Sequence, residues 1–204
     1  QDTSLLLQSV QGLSNSKSAN DKTAGMKILG SLTDPKRTSE SISNRICCMI
    51  WTCFDPHNGR ELFMTDYLIN LAKECNDKPL QYHAIRVISN ILRCISNKRI
   101  QVKTADLRRW SGIVPYLTKF LLDFEVETHM ACVAAACLRY LVTIEGCQEE
   151  GLKPSLLSED EISELKQILA LLVRYGRDRH LKLQFQGMKL VEIIRSKNAP
   201  QMKK

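Results

Sequence analysis

The chain has 204 residues, 44% of them hydrophobic with few aromatics, and a net charge of +7. That hydrophobic content excludes a largely disordered chain, and the length is ample for a packed core. No run reaches the ~18–20 uninterrupted apolar residues of a membrane span, and no charged-then-apolar signal segment opens the chain.

Taken in order, Ser4 to Leu13 reads as a short apolar helix, interrupted by polar Ser14 to Ser18. A second helix runs from Ala19 to Leu32 with Ala24, Ile28 and Leu32 at four-residue spacing, and Thr33-Asp34-Pro35 stops it. After polar Pro35 to Glu40, Ser41 to Phe54 is helical again, on Ile42, Ile46, Met49, Ile50 and Cys53. Asp55 to Arg60 is a breaker. Glu61 to Cys75 is amphipathic, with Leu62, Phe63, Tyr67, Leu68, Leu71 and Ala72 on one side. Asn76 to Pro79 turns the chain into a helix from Leu80 to Ile95, where Leu80, Ala84, Val87, Ile88, Ile91 and Ile95 keep register. Ser96 to Trp110 is a long connection with a short helix over Thr104 to Trp110.

Gly112 to Glu145 reads as two helices folded back on each other. Ile113, Val114, Leu117, Phe120 and Leu121 stripe the first, and Asp123 to Glu127 is an acidic turn. The second, Thr128 to Ile144, carries Ala131, Ala134, Ala135, Leu138, Leu141 and Val142, small enough in part for close helix approach. Gly146 to Ser158 is a loop, and Ser158-Glu159-Asp160-Glu161 opens a further helix with acids in its first turn. Its stripe is Ile162, Leu165, Ile168, Leu169, Leu172 and Val173. Leu181 to Arg195 is the last helix, ended by Asn198-Ala199-Pro200.

Two segments carry a family resemblance. Gly112-Ile113-Val114-Pro115-Tyr116-Leu117-Thr118-Lys119-Phe120-Leu121-Leu122 resembles the start of the second helix of an armadillo repeat. Ala84 to Leu92 and Ala134 to Leu141 resemble the family's third-helix core, and Asn90 falls at its Asn. Asn58 to Leu62 resembles the inter-repeat segment. The resemblance covers about residues 40–195. It implies an all-α, right-handed α-solenoid of about four to five repeats, forming a single domain with approximate repeats at 4–33, 36–75, 80–123, 128–174 and 180–196. One helical hairpin cannot bury its own apolar face, whereas stacking gives a continuous core and an elongated surface. Beginning at Gln1 rather than Met, the chain reads as a piece of a longer protein.

In that family the third helices line the concave groove. The resemblance puts ladder positions at Lys27 and Ser31, Cys48 and Thr52, Arg86 and Asn90, Ala136 and Tyr140, and Met188 and Glu192. Arg86 stands where many repeats have Trp, so the Trp/Asn ladder that carries nuclear-localisation peptides in importins is absent. Asn90 suits either the backbone of an extended peptide or an inter-repeat hydrogen bond. Arg86 and Tyr140 suit an interface or an ordinary solvated face. Thr52, Ala136 and Glu192 complete the groove expected to hold a peptide or helix of another protein.

A second candidate is basic. Arg93, Lys98, Arg99, Lys103, Arg108 and Arg109 face only Asp106 between positions 93 and 109, and the C-terminal thirty residues are also basic. Such a stretch suits nucleic acid or an acidic partner, or else a solvated loop whose apolar members pack inward. Eight cysteines without Cys-x-x-Cys spacing read as small buried hydrophobes of a reducing compartment. The four histidines lack metal spacing, and no phosphate loop or nucleophile elbow occurs. The expectation is a non-catalytic scaffold with no cofactor or metal, in cytoplasm or nucleus, with self-association through an apolar end left open.

Overall fold

The computed structural model describes residues 8–10, 12, 15–52, 54–55, 60–61, 64–100, 110, 112–123 and 128–146, with isolated positions at 160, 163, 166, 167, 170 and 192. The protein is all-α apart from one minimal strand pair among these residues. Its helices are α1 (Ala19–Leu32), α2 (Glu40–Thr52), α3 (Met64–Glu74), α4 (Lys78–Ser96), α5 (Val114–Leu122) and α6 (Thr128–Gly146). It divides into two compact units, Gln1–Val102 and Lys103–Lys204.

In the first unit, α1 starts where Ser18 accepts a hydrogen bond from the Asp21 backbone N–H at 3.4 Å, satisfying one donor that the helix leaves open. Its buried face is Gly25, Met26, Leu29 and Gly30. The expected stripe of Ala24, Ile28 and Leu32 is therefore corrected: Ala24 is exposed and Ile28 is 43% exposed. Gly25 and Gly30 both lie on this packing surface. The neighbour there is α4, with α1 lying directly against it. Gly30 lies beside Arg86 and Val87, and Thr33 bonds Asn90.

Helix α2 buries Ile46, Cys47, Met49, Ile50 and Trp51. It ends at Thr52, two residues short of its expected end, and Phe54–Asp55 instead pairs antiparallel with Arg60–Glu61. Helix α3 accordingly begins at Met64, and it buries Leu68, Ile69 and Ala72. The buried Thr65 hydroxyl donates to the Ile50 carbonyl at 2.9 Å, tying α3 to α2. Asp77 caps α4 by accepting from the Leu80 N–H at 3.1 Å, with Pro79 in the first turn, where its missing N–H costs nothing. The whole expected stripe of α4 is buried, together with Ile85, Leu92 and Cys94. Burial around so much of its circumference follows from its place among α1, α2 and α3.

The second unit contains the expected helical pair. Helix α5 buries Val114, Leu117, Thr118, Phe120 and Leu121 against α6, and Pro115 sits in its first turn. Helix α6 buries Met130, Ala131, Ala134, Ala135, Cys137, Leu138, Leu141 and Ile144. The helices expected at Ser4 to Leu13 and after Ser158 fall mostly outside the described residues. Within them, positions 8–10, 160, 163, 166, 167 and 170 are helical.

Candidate functional site

The polar side chains at the ladder positions of α4 meet the C-terminal end of α1. Asn90 Nδ2 donates to Thr33 Oγ1 at 3.1 Å and, at the limit of hydrogen bonding, to the Gly30 carbonyl at 3.5 Å. Thr33 can accept because its own hydroxyl proton goes to the Leu29 carbonyl at 2.9 Å. The Thr33 carbonyl in turn accepts from the Ser43 hydroxyl of α2 at 2.6 Å. A helix end leaves backbone carbonyls unsatisfied, and fully buried Thr33 gathers partners from α2 and α4 around one such end. Asn90 thus makes the inter-helix bond of the two roles its position allowed.

The Arg86 stem lies beside Gly30, its Cδ 3.8 Å from where a Cβ would stand. Its Nη2 sits 2.8 Å from Asp34 Oδ2, with the two side chains only 16% and 19% exposed. The Asp34 carboxylate also accepts from the Lys36 backbone N–H at 3.0 Å, and Arg37 Nε stands 4.0 Å away. Burial alone would raise the Asp34 carboxyl. The Lys36 N–H, the Arg86 hydrogen bond and the charges of Arg86 and Arg37 outweigh it, and hold the group below its ordinary value of 3.8.

One turn earlier on α4, His83 makes an edge-on contact with Tyr82, ring centroids 5.2 Å apart. Its Nδ1 is buried with no hydrogen-bond partner. Burial, and then the charges of Arg86, Lys27 and Arg37, push the imidazole below its ordinary 6.5. Lys27 is exposed on α1. Lys27, Arg37, His83 and Arg86 therefore converge on one surface with Asp34 as the acid among them.

The other expected groove positions lie on other elements. Because α1 packs directly on α4, Cys48 and Thr52 of α2 do not stand between them as a rung. Thr52 is exposed, and its hydroxyl donates to the Cys48 carbonyl at 3.0 Å. Ala136 and Tyr140 are half-buried on α6, and the Arg139 guanidinium stands 4.5 Å over the Tyr140 ring. Glu192 is helical and exposed, whereas Met188 lies outside the described residues.

The basic stretch is only partly described, since Lys103, Arg108 and Arg109 lie outside those residues. Arg93 is half-buried on α4, with Nη2 3.9 Å from Cys94 Sγ. Arg99 approaches Glu40 of α2 at 3.6 Å, and Lys98 is exposed with a left-handed φ of 57°. Ile100 and Trp110 are buried. Cys47 and Cys94 are free, buried thiols, and the hydrogen bond that Cys47 donates to Cys94, together with burial, pushes the Cys47 thiol up. Among the described residues no group of His, Cys, Asp or Glu is placed to hold a metal ion, and no helix is long and apolar enough to cross a membrane.

Sequence reasoning treated Asp34 as part of a helix stop and missed its partnership with Arg86. The two are 52 positions apart, and nothing local to either announces the pair.

No protein-family model and no curated protein matches the chain. One solved structure is similar, the crystal structure of an engineered protein from the Northeast Structural Genomics Consortium. It is 12% identical, covers 93% of this chain and 98% of its own, and has a TM-score of 0.39.

Proposed function

We propose that the protein is a non-catalytic interaction module, an armadillo-like solenoid that holds a segment of another protein along its parallel third helices. The observation that supports this most is the return of the chain through α2 and α3 to α4, a helix packed directly against α1. A three-helix repeat does the same. The Gly112 to Leu122 and Ala84 to Leu92 motifs support it from the sequence side. Polar groups along α4 are spent on inter-helix bonds, and the surface they leave suits binding better than bond-making chemistry. Cytoplasm or nucleus is the proposed location, in keeping with free thiols at Cys47 and Cys94.

The test is affinity capture of natural partners from cells with the tagged chain, repeated with Lys27→Glu and Tyr140→Ala. Circular dichroism verifies the fold of each variant. The reading expects partners that at least one of these changes weakens. Recovery of no specific partner by the unaltered chain contradicts it.

A further inference from the structure

We propose that the face shared by α1 and α4 docks an acidic, carboxylate-rich segment of a partner protein, with Lys27, Arg37 and Arg86 as its contacts and His83 as a titratable neighbour. This names the partner chemistry for the interaction module and rests on that reading.

The face carries three permanent cations and one acid. Arg86 is committed to Asp34 at 2.8 Å, but Arg37 reaches the same carboxylate only at 4.0 Å and keeps 58% of its side chain exposed. Lys27 forms no ion pair among the described residues and is exposed. Two positive charges are thus left over at one place, which attracts an anion and orients its approach. Asp34 shows how a carboxylate fits here: it takes a guanidinium and a backbone N–H together. His83 supplies the second observation. Its buried Nδ1 lacks a partner, and an unpaired buried polar atom is costly. The ring is thus a titratable neighbour of the face, and a carboxylate docked nearby favours its proton through charge rather than by bonding that buried nitrogen.

The same geometry gives the site a pH signature. The charges acting on His83 are Arg86 on its own helix, Lys27 on α1 and Arg37 in the α1–α2 connection, all positive. They oppose a proton on the imidazole of the free protein. A bound carboxylate offsets them, so the complex holds that proton more readily than the free protein does. Binding therefore takes up a proton and tightens as pH falls below the ordinary imidazole range, while glutamate, at about 4.3, is still ionised.

Fluorescence anisotropy of the full chain with labelled decaglutamate, decalysine and a single-stranded DNA decamer, in low salt, tests this. Decaglutamate is expected to bind and decalysine not. The double variant Lys27→Glu/Arg37→Glu, with its helical circular dichroism intact, should lose at least tenfold in affinity. His83→Gln should bind at pH 7 yet lose the tightening at pH 5.5. No binding of decaglutamate, or equal affinity in the double variant, overturns the proposal, as does a DNA preference that Lys98→Glu/Arg99→Glu abolishes. If the double variant still captures natural partners from cells at full strength, the acidic-segment inference falls while the interaction-module reading stands. If the unaltered chain captures none, that reading falls first.

Discussion

Helices α4 and α6 are each 19 residues long and each hold a segment that the sequence likened to a repeat core, yet they are held in opposite ways. Helix α4 is wrapped by three helices, and its polar ladder residues bind the end of α1. Helix α6 meets α5 through alanines and leucines, and its ladder position Tyr140 contacts the neighbouring Arg139 side chain. Equivalent motif positions therefore do not have equivalent work. What decides is the neighbour: α1 brings a helix end with carbonyls to satisfy, and Asn90 and Arg86 answer it.

The largest expected effects are in the two apolar seams. Ile88→Ala in α4 and Leu138→Ala in α6 both empty fully buried volume, and each should cost about 2–5 kcal/mol in urea unfolding. Similar losses would show that both seams are equally dependent on packing. A much smaller loss at Leu138 would mean that the small-residue seam of α6 collapses around the gap.

Asp34→Ala separates the two helices next. It leaves the Arg86 guanidinium poorly compensated at 16% exposure, and should cost about 1–3 kcal/mol. The pH dependence has a definite sign. A carboxyl whose folded value lies below its unfolded one adds stability that is present above the unfolded value and is lost as pH falls through the folded one. Since Asp34 is held below 3.8, acid titration should erode this contribution below about pH 4. Asp34→Asn should flatten that part of the stability profile, and an unchanged acid limb would argue against the pair.

Asn90→Ala is expected to cost about 0.5–1.5 kcal/mol by removing the bond to Thr33. Ala136→Ser at the corresponding position of α6 should stay within about 0.5 kcal/mol. Equal costs would erase the contrast. One change of similar size to Asn90→Ala is a gain: Lys98 holds a left-handed φ of 57° just past the end of α4, where Lys98→Gly should add about 0.5–1 kcal/mol.

The long helices were legible in the sequence because their apolar period persists. Leu80 to Ile95 needs no partner to be recognised, and every member of its stripe is buried. Helix α1 was found but turned the wrong way, because its packing face is built on Gly25 and Gly30, which carry no hydrophobic signal. The pairing of Phe54–Asp55 with Arg60–Glu61 was missed since two residues are too few for an alternating pattern. At the candidate site, the residue types at 86 and 90 were visible, but their partners were not. Thr33 and Asp34 lie more than 50 positions away and looked like punctuation. Likewise His83 was one scattered histidine until α1 placed Lys27 near it.

The measurement closest to the central claim is zero-length carbodiimide cross-linking of the protein with a partner captured from cells, read by mass spectrometry. That reagent joins amines to carboxylates in direct contact. The account predicts cross-links from Lys27 to aspartate or glutamate of the partner, lost when Lys27 is replaced by Arg and the complex still forms. Cross-links confined to lysines outside the α1/α4 face, with Lys27 unreacted in a complex that remains assembled, would contradict it.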